Sequence, residues 1–217
     1  MSARRRPSRS THHPRGFTLL ETAITLVILG VGVLAMIEAQ AAFIQSNLWS
    51  SHAATGNFLA QEVREFSRSF PKHDPVRGLN IDEGYVFGLD GGEVVIDDID
   101  DLDDLDGMRF GFNGNMPGPI NALGDIIPEI ALDGSVEFDE GGDPVPMVGW
   151  AQEIIVEKVE PFDTSLIRTD DYERESEEDG LPPLARESFP LRVTVIVTFT
   201  TAIGGEIEMA RVSWIEP

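Results

Sequence analysis

The chain has 217 residues, no cysteine and a formal net charge of −22. Disulfides, thiolate metal sites and a cysteine nucleophile are therefore excluded. So acidic a surface repels phosphates, and no nucleic acid is expected as a partner. The length suits one domain with an anchor, or at most two small domains.

Charge is unevenly placed. Arg4, Arg5, Arg6, Arg9 and Arg15 lie in the first sixteen residues, which hold no Asp or Glu. Phe17 to Ile37 then reads FTLLETAITLVILGVGVLAMI, 21 residues whose one charge is Glu21. At about 1.5 Å per residue, a helix of this length crosses a hydrocarbon core of about 30 Å. Arginines before it and a polar stretch after it predict a cytoplasmic N-terminus and a translocated C-terminal bulk. An uncleaved signal anchor and a secretory signal peptide share this outline, and Ala39-Gln40-Ala41 offers the small residues a signal peptidase needs. The apolar run is longer than the ~7–15 residues of a signal-peptide core. It also buries Glu21, a carboxylate that costs a few kcal/mol or more in hydrocarbon without a partner.

The run Arg15-Gly16-Phe17-Thr18-Leu19-Leu20-Glu21 resembles the processing motif of type IV prepilins and type II secretion pseudopilins. The resemblance implies a basic leader over 1–16, cut after Gly16 by a prepilin peptidase, with N-methylation of the new first residue, Phe17. Thr18, Leu19 and Leu20 complete the motif. Glu21, fifth in the mature chain, would pair with the Phe17 ammonium of a neighbouring subunit. Each charge alone is costly in an apolar filament, whereas the pair is tolerated and fixes register. The stretch Ile28–Met36 followed by Gln40 looks most like PilV-type minor pilins and I-type minor pseudopilins. The C-terminal cysteine pair and helix-kinking proline common in major pilins are absent.

Beyond Glu38 the pattern stays helical to Phe70, with Leu48, His52, Thr55, Leu59, Val63, Phe66 and Phe70 recurring every three or four residues, and Pro71 ends it. A helix over 17–70 is expected, 17–37 as membrane span and filament core and 38–70 amphipathic. Gly30 and Gly32 weaken it by about 1 kcal/mol each. Residues 71–217 form the expected extracytoplasmic head, in which short apolar runs between Gly, Pro and Asp predict strands. These are Gly84–Leu89, Glu93–Ile96, Met108–Phe112, Ser135–Phe138, Trp150–Val159, Leu191–Thr201 and Glu206–Ile215, the last two joined by a turn through Ala202-Ile203-Gly204-Gly205. Val193, Val195, Val197 and Phe199 alternate with Thr194, Thr198 and Thr200, broken by Ile196. The fold class expected is α+β and pilin-like, a long N-terminal helix packed against an antiparallel sheet. No repeat of domain size is present.

Two acidic loops stand out. One places Asp97, Asp98, Asp100, Asp101, Asp103, Asp104 and Asp106 in an Asp-Asp-apolar rhythm, and the other, Tyr172 to Gly180, carries Glu173, Glu175, Glu177, Glu178 and Asp179. Oxygen-only clusters suit calcium, but Gly107 falls one place too late for an EF-hand loop starting at Asp101. The first loop is read as a solvated run of like charge, with calcium the lesser alternative and no cofactor required. Histidines are His12, His13, His52 and His73, and no nucleophile elbow, phosphate loop or dinucleotide fingerprint occurs. No enzyme is expected. The function the resemblance implies is that of a structural subunit, a minor one, of a type IV pilus or a type II secretion pseudopilus in the inner membrane. Its partners would be the peptidase and other subunits. The alternative is an anchored or exported periplasmic protein with a binding role outside any filament.

Overall fold

The computed structural model describes residues 17–74, 78–79, 87–89, 95–178, 180–201 and 204–217. Gly16 and the rest of the basic segment, His12 and His13 within it, lie outside them. So do Asp179, half of the strand expected at Gly84–Leu89, half of that at Glu93–Ile96, and Ala202-Ile203.

One α-helix, α1, runs Leu19–Ser67. Arg68, Ser69 and Phe70 then donate to carbonyls three residues back, so the last turn tightens before Pro71. The chain forms two compact units, Met1–Trp49 and Ser50–Pro217, and α1 contributes to both. Every described residue of the first unit is exposed. In the second, α1 buries Gly56, Leu59, Ala60, Val63, Phe66 and Ser67, one face at helical spacing. Of the expected stripe, Leu59, Val63 and Phe66 are core, while Leu48 is exposed.

The sheet is antiparallel, in the order β1-β2-β4-β5, with β3 paired to one end of β2. The strands are β1 Arg109–Gly111, β2 Trp150–Glu160, β3 Asp163–Ile167, β4 Leu191–Thr200 and β5 Glu206–Glu216. β2 and β4 pair without interruption from Trp150↔Phe199 to Lys158↔Leu191. Val193, Val195 and Val197 are wholly buried, as their alternation predicts, beside Ile154 and Val156 of β2 and Leu59 and Val63 of α1. The architecture is the expected α+β arrangement. Ser135–Phe138 forms no strand, only isolated bridges at Val136 and Phe138. β3 was not anticipated, because all five of its residues are exposed and carry no apolar alternation.

Between Val197 and Thr198 the pairing to β5 shifts past Met209. This bulge lets consecutive residues Met209 and Ala210 both be buried. Gly56 of α1 lies against it, where a Cβ would stand 2.8 Å from the Met209 Cβ.

The segment joining β1 to β2 folds as three turns of one design. Residues 121–125, 131–135 and 139–143 each close with a bond from the first N–H to the fifth carbonyl, at 2.9, 2.9 and 2.8 Å. Gly124, Gly134 and Gly142, fourth in each turn, take φ of 84°, 85° and 90°, which other residues rarely adopt. Glu137 N–H donates to the Glu129 carbonyl, Glu129 to Val145, and Val145 back to Glu137, closing a ring of three bonds. The root of this arm is fixed by Gln152, a wholly buried side chain of β2. Its Oε1 accepts from Ile120 N at 2.7 Å. Its Nε2 donates to the carbonyls of Leu59 at 2.9 Å and Ile120 at 3.0 Å. Replacement Gln152→Leu strands the Ile120 N–H, and urea unfolding of the variant is expected to show a loss of about 1–3 kcal/mol.

Candidate functional site

Thr18 precedes the first turn of α1. Its carbonyl accepts from Glu21 N at 3.0 Å and Thr22 N at 3.1 Å, and its hydroxyl oxygen accepts from Glu21 N at 3.3 Å. Thr18-Leu19-Leu20-Glu21 is thus a threonine cap with glutamate at the third helical position, a pattern that starts helices by satisfying orphan amide donors. The signal for it in the sequence is a threonine three places before a glutamate at the head of an apolar run. Glu21 also stands in the first turn, where a negative charge complements the helix dipole. Thr22 and Thr25 donate their hydroxyls to the carbonyls of Leu19 and Glu21, so the hydroxyls of the apolar run are satisfied within the helix.

Phe17, Leu19 and Leu20 are 76%, 91% and 70% exposed. Among the described residues, nothing beyond their own stretch of helix backbone lies within 4 Å of where a Cβ would stand on Gly30 or Gly32. α1 is long and apolar enough to cross a membrane, and none of that stretch is buried. Fully covering a leucine-sized side chain is worth about 1.5–3 kcal/mol, so this surface calls for lipid or other helices.

The acidic loop at 97–106 corrects an expectation. It is not a solvated run: Asp101, Asp103 and Asp104 are buried, and so are Ile99, Leu102 and Leu105. The three-residue rhythm matches 3₁₀ geometry, in which every third side chain eclipses the last, and 3₁₀ turns occupy Ile96–Asp98 and Asp103–Leu105. Apolar residues enter the core while the aspartates hold the backbone. Asp101 Oδ1 accepts from Asp103 N and Asp104 N, Asp104 Oδ2 from Asp100 N and Asp101 N, Asp98 from Val95 N, and Asp106 from Val156 N. Asp97 is exposed. Among the seven aspartates, Asp100, Asp101 and Asp104 form one group of three whose carboxylate oxygens lie within 4.8 Å, a hard-oxygen set in which two members already serve the loop's own amides.

Asp103 turns instead to His73, whose Nδ1 lies 2.9 Å from its Oδ1 with both side chains buried. Burial holds His73 down to about 4, so the neutral ring donates through Nδ1–H. Nε2 has no hydrogen-bond partner among the described residues. Burial pushes Asp101 up to about 8, helped by a hydrogen bond to Asp103. Lys158, wholly buried on β2, donates to the Asp170 carbonyl, and burial lowers it to about 8. The loop itself is tied to β2 through the Val156 N–H donated to Asp106.

The family model for the prokaryotic N-terminal methylation motif matches residues 12–37. The chain carries the signature of type IV prepilins and pseudopilins. No curated protein and no solved structure matches the chain. The pilin motif covers the first turns of α1, including Thr18 and Glu21, and points to a structural rather than a catalytic protein. A prepilin-type leader and a membrane-spanning helix are consistent with anchoring in the inner membrane.

The buried network predicts a pH response. Folded Asp101 keeps a proton that the unfolded chain releases above 3.8, so its contribution is present in acid and lost as pH rises to about 8. Folded His73 refuses a proton that the unfolded chain takes up below 6.5, so its contribution is lost as pH falls to about 4. The two oppose each other below 6.5, and from there to about 8 Asp101 acts without that opposition. Across that upper window, melting temperatures of an Asp101→Asn variant are expected to rise relative to those of the unaltered protein.

Proposed function

We propose that this chain is the precursor of a structural subunit, a minor one, of a type IV pilus or a type II secretion pseudopilus. The observation that carries the reading is the methylation motif, placed at the start of an apolar helix whose described residues up to Trp49 are all exposed. On this reading the arginines stay in the cytoplasm and the peptidase cuts between Gly16 and Phe17. The amine of Phe17 is methylated, and the subunit waits in the inner membrane with residues 71–217 outside. Leaving the membrane for a filament exchanges lipid for neighbouring helices. Glu21 then meets the Phe17 ammonium of an adjacent subunit, since a buried carboxylate is tolerated only when paired and hydrogen-bonded. The threonine cap keeps Glu21 at a fixed place one turn into the helix, as register demands.

Mass spectrometry of the membrane-purified protein, with and without its prepilin peptidase, is expected to find methylated Phe17 as first residue only when the peptidase is present. A chain starting at Ala42, or an uncut one, returns the protein to the exported or simply anchored class. Replacement Glu21→Ala is expected to leave cleavage intact and to reduce incorporation into sheared filaments by about tenfold or more, the equivalent of about 1.4 kcal/mol. Unchanged incorporation would rule out the charge pair.

A further inference from the structure

The arm between β1 and β2 sends Ile120 into the core and packs Ile127 and Met147 against it, but turns five other large apolar side chains outward. Leu123 is 82% exposed, Leu132 fully exposed, Ile130, Phe138 and Val148 more than half exposed. None of them supports the core, yet the backbone that displays them is fixed. The three turns close identically, the ring at Glu129, Glu137 and Val145 ties them together, and Gln152 holds the root from inside. Ala122 N–H donates to the Glu62 carboxylate of α1 at 2.8 Å, and Val148 N–H to that of Glu129 at 2.9 Å. A rigid frame that presents apolar anchors lowers the ordering cost of association.

Charge limits what can dock there. Residues 119–148 carry seven carboxylates, and no Lys, Arg or His occurs between Arg109 and Lys158. Anionic lipid and nucleic acid are repelled, and a second copy of the arm would set like charge against like. We propose that this arm is a docking surface for a different protein, one whose facing surface is basic around an apolar recess that receives Leu132, the most exposed of the arm's apolar side chains. The inference does not rest on the filament reading, because an anchored, unassembled chain presents the same arm.

The test places a photoreactive benzoylphenylalanine at position 132 of the full-length protein in its native membrane, with position 207 as control. The expected result is an adduct at 132, absent at 207, to a protein other than this chain, with the crosslinked peptide on a surface of net positive charge. In the variant Glu137→Lys, Glu140→Lys, which alters only exposed side chains, its yield should fall about tenfold, because like charges at an interface are costly. Raising the salt concentration should lower it on the unreversed chain, which keeps the test independent of how that variant folds. Lipid alone, a second copy of this chain or no adduct at 132, or a yield indifferent to salt, would overturn the proposal.

Discussion

Gln152 sits on β2 with its side chain wholly inside the head, bonded to the backbone of α1 at Leu59 and to both backbone groups of Ile120. A side-chain amide is suited to this position because it can donate and accept at once. Leu59 lies in mid-helix, so its carbonyl takes this bond as well as its helical one. Ile120 is where the three-turn arm leaves the sheet. One amide therefore sets the helix against the sheet and the arm against both. An apolar replacement of equal size would pack, yet would leave a buried donor without a partner, and that debt exceeds the net worth of an ordinary hydrogen bond.

The same helix serves two solvents. From Ser50 onward α1 follows the rule of a globular core, one buried face with polar residues elsewhere. Before that it is exposed throughout, and up to Ile37 it is apolar on every side but for Glu21 and its threonines. The chemistry of Thr18, Thr22 and Thr25 fits the second regime, since each hydroxyl is satisfied by the helix's own backbone and asks nothing of its surroundings. Glu21 differs: its backbone N–H is capped by Thr18, and its carboxylate is the one charge between Phe17 and Ile37. In water it is unremarkable. In hydrocarbon or among helices it needs a positive neighbour.

Much of this was legible in the residues. The long helix, the valine alternation of β4 and the returning β5 each follow a single strong period, and the motif at Arg15–Glu21 is local. What escaped depends on long-range contacts. The arm's three turns share little beyond a glycine in fourth place and apolar flanks, so Ser135–Phe138 reads as a strand when only two bridges form. The aspartate loop reads as solvated charge because composition cannot say that Asp101 and Asp104 will cap each other's neighbours, or that His73 will reach Asp103 across thirty positions. β3 has no apolar face to betray it.

The bulge at Met209 has a consequence beyond packing against Gly56. β5 is last in the sheet order, and an eleven-residue outer strand is a template on which another chain can add itself. An extra residue bends that template out of register, and Glu206, Glu208, Arg211 and Glu216 stud it with charged side chains. For a protein proposed to polymerise through its helix, such an edge keeps fibres of the other kind, sheet upon sheet, from competing while subunits crowd together before assembly.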